Sequence, residues 1–212
     1  MESARPIPRA ALLRFGLGQI GAQLFRDTPA ALLPVFMTTI LGVPAWLAGV
    51  TVLVPKLWVI FCDPLMGAWS DRCKPAIGRA PFLVVGAITT GAGFLSLFWF
   101  SGYDSPLSAA VVIGLLFVVS STGFSAFMVP YFALVSEMAD DPHERTRILA
   151  YRMYFAILGV QLGVGVAQPL VQRLGGGAAA WRSMAELLAA ICLLSMLTTA
   201  LGVRRNARSA AP

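Results

Sequence analysis

Of the 212 residues, 58% are hydrophobic and only 12% are charged, with a net charge of +6 and a mean hydropathy of +0.77. Soluble domains carry about 25% charged residues, and one core of this size could not hide so much apolar surface from water. Disordered chains are charged and poor in apolar residues, so disorder is excluded as well. Lipid is the solvent that suits the composition, and the pattern predicts an all-α membrane protein.

A spanning helix takes about 20 mostly apolar residues. The first candidate covers 10–41, with Gly16, Gly18 and Gly21 early and Pro29 and Pro34 late, where a kink is expected. It lacks a small-residue cleavage site and outruns a signal peptide's apolar core, so it is expected to be a span. After the turn Gly42-Val43-Pro44, a second run covers 46–69, and the polar stretch from Ser70 to Pro75 is expected to end it. A third covers 81–100, with Pro81 suited to a first helical turn. Turn residues from Gly102 to Pro106 lead into a fourth over 107–137. The polar loop 139–147 precedes a fifth over 148–170, and Gly175, Gly176 and Gly177 separate it from a sixth over 181–203. Residues 1–203 are thus expected to form a six-helix transmembrane bundle, with 204–212 as a cytoplasmic tail that begins a further loop.

The basic residues cluster at the ends of these runs. Arg5, Arg9, Arg14, Arg72, Lys74, Arg79, Arg145, Arg147, Arg204, Arg205 and Arg208 fall on one side, and little beyond Arg173 and Arg182 on the other. This is the positive-inside pattern, and it places both termini in the cytoplasm of a multi-pass inner-membrane protein rather than pointing to nucleic acid. Cys62, Cys73 and Cys192 make no CxxC and imply no disulfide framework or metal site. An intramembrane enzyme is not expected either. The single histidine, His143, sits in a polar loop, and no His-Glu-x-x-His or phosphate-binding loop is present.

Ionisable residues inside spans are costly and are candidates for function. Gln23, Arg26 and Asp27 lie in the first run, Lys56 and Asp63 in the second, and Arg152 in the fifth beside Tyr151 and Tyr154. Lys56 and Asp63 are seven apart and share a helix face. Asp63 precedes Pro64, which frees a backbone carbonyl, so a cation or proton site is chemically reasonable; an ion pair that holds the bundle together is the structural alternative. Arg26 and Asp27 diverge by about 100° around the helix and need not pair. Gln23 could bond a hydroxylated ligand or another helix. At the cytoplasmic end, Gly67, Asp71, Arg72, Gly78 and Arg79 combine a small residue for close approach, charges that can latch helix ends, and a turn glycine.

Asp63-Pro64-Leu65-Met66-Gly67, followed by Ser70-Asp71-Arg72 and Gly78-Arg79, resembles the loop between the second and third helices of the major facilitator superfamily. Together with Val129-Pro130-Tyr131-Phe132-Ala133-Leu134, Glu137, Glu144-Arg145-Thr146 and Arg152, it resembles the glycoside–pentoside–hexuronide:cation symporters, the melibiose-permease-like family. The resemblance covers nearly the whole chain. It implies one six-helix half of a facilitator, built as a 3+3 inverted repeat, that moves a sugar-like organic solute with H⁺, Na⁺ or Li⁺ by alternating access. It assigns Asp63 to cation coupling and Arg152 to the solute; Gln23, Arg26, Asp27, Lys56 and Tyr131 are expected at the solute with it. Asp71, Arg72 and Arg145 match its cytoplasmic closure network, and Gly67, Gly78, Arg79 and Glu137 are expected at the same cytoplasmic gate. The chain departs from the family pattern at Val59, Gln23 and Met128, each where such symporters carry an aspartate. Hard cations need several oxygen ligands, so these losses argue against a Na⁺ site and favour proton coupling or uncoupled transport. The expected partner is a second six-helix half, as a separate chain or a second copy; a truncated, non-transporting membrane subunit is the alternative reading.

Overall fold

The computed structural model describes residues 7–139 and 141–209, with side chains as far as Gly202. Arg5 lies outside the described residues, as do the side chains of Arg204, Arg205 and Arg208. Six helical rods follow one another: α1 (Arg9–Thr39), α2 (Ala45–Ile77), α3 (Ala80–Trp99), α4 (Pro106–Met138), α5 (Pro142–Arg173) and α6 (Ala178–Ser209). Five of them are long and apolar enough to cross a membrane by composition. The sixth, α1, is 31 residues long, but Gln19, Gln23, Arg26 and Asp27 lower its apolar content.

The pairing of helices reveals the expected inverted repeat. α3 packs on α4 and α6, α1 packs on α5 and α6, and α2 packs on α4. Exchanging α1 with α4, α2 with α5 and α3 with α6 maps these five principal pairings onto themselves. Three crossings separate the members of each exchanged pair, so they run in opposite directions. Four helices form the centre, while α2 and α5 flank it: 28% of each flanking helix's apolar window is buried, against 50% for α3. The exposed faces of α2 and α5 include Trp46, Ile60, Phe61, Leu65, Tyr154 and Ile157.

Small residues allow the central crossings. A methyl group at Gly86 would lie 2.5 Å from the Phe127 nitrogen and 2.8 Å from the Gly123 oxygen, so α3 and α4 touch backbone to backbone there. At the equivalent α1–α6 crossing, a methyl at Gly21 would lie 2.5 Å from the Cys192 oxygen. Lipid supplies no hydrophobic drive between helices, and close packing of this kind has to hold them together. At the outer ends, Phe36, Phe98 and Trp181 form an aromatic cluster across α1, α3 and α6. Arg182 donates to the Trp99 carbonyl at 3.1 and 3.3 Å, which satisfies an orphan acceptor at the end of α3.

Several helix ends differ from expectation. α2 does not stop at Trp69 but runs through the polar stretch to Ile77, where Gly78 at φ 70° turns the chain. α5 starts at Pro142 rather than Ile148, with the Asp141 carboxylate accepting from the Glu144 amide at 3.3 Å. α6 continues to Ser209, past the expected start of the tail. Apolarity marks only the part of a helix that meets lipid, and these helices project beyond it. α1 remains helical through Pro29 and Pro34. α5 changes to a π-helix over Gln161–Val166, just before Pro169. That proline removes one backbone donor and crowds the preceding turn, which a locally wider helix accommodates.

Gly86→Ala is expected to lower the chain's thermal unfolding midpoint in detergent, at a cost of about 1–3 kcal/mol. Gly49→Ala, where nothing lies within 4 Å of the added methyl, is expected to leave it unchanged.

Candidate functional site and helix-end latch

A polar ladder runs along one side of α1. Gln19 Nε2 donates to Gln23 Oε1 at 3.2 Å, and Gln23 Nε2 donates to Asp27 Oδ2 at 2.6 Å. The residues stand at i, i+4 and i+8, so their side chains stack on one face. Gln23 and Asp27 are half-buried, whereas Gln19 is buried and its Oε1 has no partner. Arg26 turns away and is exposed. α5 packs directly against this side: Gly159 lies against Ile20 and Gln23, and Gly163 against Leu24 and Thr28.

On α2, Asp63 is half-buried and Lys56 exposed. No ion pair joins them among the described residues, so the structural alternative for Asp63 is not realised through Lys56. The neighbouring Cys62 and Met66 pack on Ala126 of α4, and a methyl group at Gly67 would lie 3.5 Å from Val129, an ordinary contact. Trp58 donates its indole N–H to Thr122 of α4 at 2.9 Å and keeps 42% of its surface exposed.

Arg152 on α5 places its guanidinium 4.4 Å above the Phe132 ring of α4. Its Nε is buried without a partner. Tyr131, expected at the solute surface, is fully buried; its ring lies 4.4 Å from that of Phe15 and its hydroxyl donates to the Phe15 carbonyl at 2.9 Å. That hydroxyl is committed to the α1–α4 contact, so Tyr131 joins helices instead of lining an open surface. Met128 is also buried.

The motif at the turn between α2 and α3 centres on Arg79. Its guanidinium bonds Asp71 at 2.8 Å, Ser70 at 2.8 Å and Glu137 at 2.9 Å, linking the ends of α2, α3 and α4. Lys74 adds a 2.5 Å bond to Glu137. Burial alone would lower the Arg79 pKa, but the hydrogen bonds and charges of Glu137 and Asp71 outweigh it and hold it above the ordinary value. Arg79 keeps 9% of its side chain exposed and Lys74 48%, so Arg79 carries the better-desolvated pairing. Gly78 supplies the positive-φ turn that brings Arg79 back to α2. Arg72 points to solvent and makes no ion pair or side-chain hydrogen bond in this cluster; adjacent positions diverge around a helix, and Asp71 is the one that faces Arg79. Arg145 donates to the Ala139 carbonyl at 2.8 Å and ties the start of α5 to the end of α4.

Sequence reasoning had not assigned Lys74 or Ser70 to the latch, though Ser70 and Lys74 are i, i+4 neighbours on the face that holds Asp71. It also passed over Gln19, whose signal was the four-residue spacing to Gln23. Trp58 was passed over as well; its partner Thr122 is on α4, so no spacing within α2 signals it.

With this geometry in place, comparison with known proteins decides the family. Residues 14–212 match the family model described as MFS/sugar transport protein. The chain belongs to this family. It is 32% identical to a putative glycoside/cation symporter, YagG, of Escherichia coli K12, over 77% of this chain and 35% of that protein. It is 25% identical to the inner membrane symporter YicJ of the same organism, over 76% of this chain and 35% of YicJ. A putative sulfoquinovose importer of E. coli K12 is 26% identical over 70% of this chain and 32% of the importer. The chain thus spans about a third of the length of these relatives, and it is a multi-pass protein of the inner-membrane type.

Arg79→Ala is expected to destabilise the solubilised chain by about 1–3 kcal/mol, because two carboxylates lose a partner. Lys74→Ala is expected to cost under about 1 kcal/mol and Arg72→Ala nothing measurable, all read as unfolding midpoints. Tyr131→Phe is expected to cost about 1 kcal/mol of stability while leaving solute affinity unchanged in a binding titration.

Proposed function

We propose that this chain is one half of a secondary transporter that moves a sugar-like organic solute by alternating access, with a second six-helix half supplying the opposite wall of the path. The observation that carries this reading is the placement of polar and charged groups. Gln23, Asp27, Asp63 and Arg152 sit partly exposed on α1 and on the flanking helices α2 and α5, in a bundle whose other exposed surface is largely apolar. Charge in such a bundle is tolerated where it lines a water-filled path. Relatives named for glycoside and sulfoquinovose transport support a sugar-like solute, and the inverted repeat supports rocking of one half against the other.

Asp63 is the coupling carboxylate. It is half-buried and free of any ion pair among the described residues. No group of three or more His, Cys, Asp or Glu side chains is arranged to hold a metal ion among the described residues. A lone carboxylate suits a titrating proton better than a desolvated Na⁺. The cytoplasmic latch would hold α2, α3 and α4 together as the two halves rock, and both termini lie on that cytoplasmic side.

The test is solute uptake by sealed vesicles that hold the chain with its second half, under an imposed proton gradient. Asp63→Asn is expected to abolish gradient-driven accumulation and leave insertion and solute exchange intact. Accumulation at the parent rate in that variant would remove Asp63 from coupling, and no uptake of any solute by the parent would remove the transport reading.

A further inference from the structure

We propose that Asp27 is a second carboxylate of the transport path, that it takes up a proton during the cycle, and that Gln23 and Gln19 relay its protonation state along α1 by reversing their hydrogen bonds. The proposal rests on the transport reading above and adds a group to its path. Gln19 donates to Gln23 at 3.2 Å, and Gln23 donates to Asp27 at 2.6 Å. Both bonds run toward the carboxylate, which when ionised can only accept. The row therefore has the polarity that a charged Asp27 imposes. Its far end carries the consequence. Gln19 is buried, and its Oε1 has no partner. A protonated Asp27 gains an O–H to donate, and the Gln23 oxygen meets it once that amide turns over. Gln23 Nε2 then faces Gln19, which turns likewise and accepts through the oxygen that was orphaned. The buried end of Gln19 changes from acceptor to donor.

The proton comes from water in the path and stays on Asp27, which is half-buried; the amides exchange donor and acceptor roles and carry no proton. Positions 19 and 27 are about 12 Å apart by the helix rise. The signal ends one turn from Phe15, whose carbonyl accepts from Tyr131 of α4. No cation holds Asp27 in its charged form, because none of the ion pairs among the described residues includes it. Arg26 turns away and is exposed. α5 meets this side of α1 through Gly159 and Gly163. Its Arg152 stands about 16 Å from Gly163 along that helix, against the Phe132 ring. α6 brings the exposed Arg182 and Glu186, and Cys192, whose thiol is engaged with the Gly21 carbonyl. α2 brings Lys56, Cys62 and Asp63, α4 brings Tyr131 within its apolar length, and α3 has no titratable residue.

The test follows the glutamine side-chain amides by NMR, in the full chain placed in nanodiscs with isotope-labelled glutamine. The pH is varied between about 4 and about 8, a range that brackets a carboxylate. Gln19→Met and Gln23→Met assign the two signals, and Gln161, Gln168 and Gln172 of α5 serve as internal controls of the fold. The Gln19 and Gln23 signals are expected to move together with one midpoint while the controls stay still. Asp27→Asn is expected to abolish both movements, and Asp27→Glu to keep them. Movement of Gln23 without Gln19, movement that survives in Asp27→Asn, or no movement of either would overturn the proposal. In vesicles with the second half, Gln19→Met is expected to shift the pH midpoint of proton-driven uptake by at least about half a unit, whereas a merely structural bond would lower uptake equally at every pH. Uptake by the parent with no paired movement would sink the relay and keep the carrier. Paired movement with no uptake of any solute would keep the relay and sink the carrier.

Discussion

Close approach of helix backbones is the constraint on which the rest of the structure depends. Inside lipid, apolar side chains gain little by leaving one another or the acyl chains, so helices stay together where they can touch over a large, tightly fitted surface. Gly86 and Gly123 provide this between α3 and α4, Gly18 and Gly21 between α1 and α6, and Gly159 and Gly163 between α1 and α5. The α3–α4 and α1–α6 crossings are equivalent under the exchange of the two three-helix repeats. Both use glycine, so the pseudo-symmetry extends from connectivity to the packing chemistry. The tightly bound centre leaves α2 and α5 as flanks, each held mainly by one neighbour.

The position of the polar groups follows from that arrangement. Gln23 and Asp27 look out from the central helix α1, on the side against which α5 packs, and Asp63 and Arg152 ride on the two flanking helices. A rigid centre with polar residues toward weakly held flanks suits a path wall that opens and closes. At the turn between α2 and α3, Arg79 gathers Ser70, Asp71 and Glu137 into one cluster. The better-buried guanidinium is the hub, and the more exposed Lys74 reinforces it from one side. Hydrogen bonds to an arginine fork fix direction as well as distance, so the three helix ends are tied to one another.

Much of this was legible in the sequence. Length and apolarity gave six rods and the turn glycines their separations; the hydrogen bond from Gln23 to Asp27 was not expected, although the four-residue spacing allows it. Helix ends were less legible, because hydropathy is silent where a helix leaves lipid: α2 extends to Ile77 and α5 begins at Pro142. Tyr131 was misplaced for a different reason. A tyrosine in an apolar span can turn its hydroxyl to a path or to a neighbouring backbone, and only the position of the Phe15 carbonyl decides between them. Arg72 shows the same limit at the latch. Two adjacent charges, Asp71 and Arg72, were read together, yet a helix directs them about 100° apart and only Asp71 meets Arg79.

The most direct measurement of the central claim is access to position 23 from each side of the membrane. Gln23→Cys, combined with Cys73→Ser, would be made in the chain together with its second half, leaving the buried Cys62 and Cys192 in place. A membrane-impermeant maleimide is then presented to one face or the other of sealed vesicles. A path wall that is exposed alternately predicts labelling from both faces, with solute changing the balance between them. Labelling from one face alone, unmoved by solute, or none from either, would contradict it.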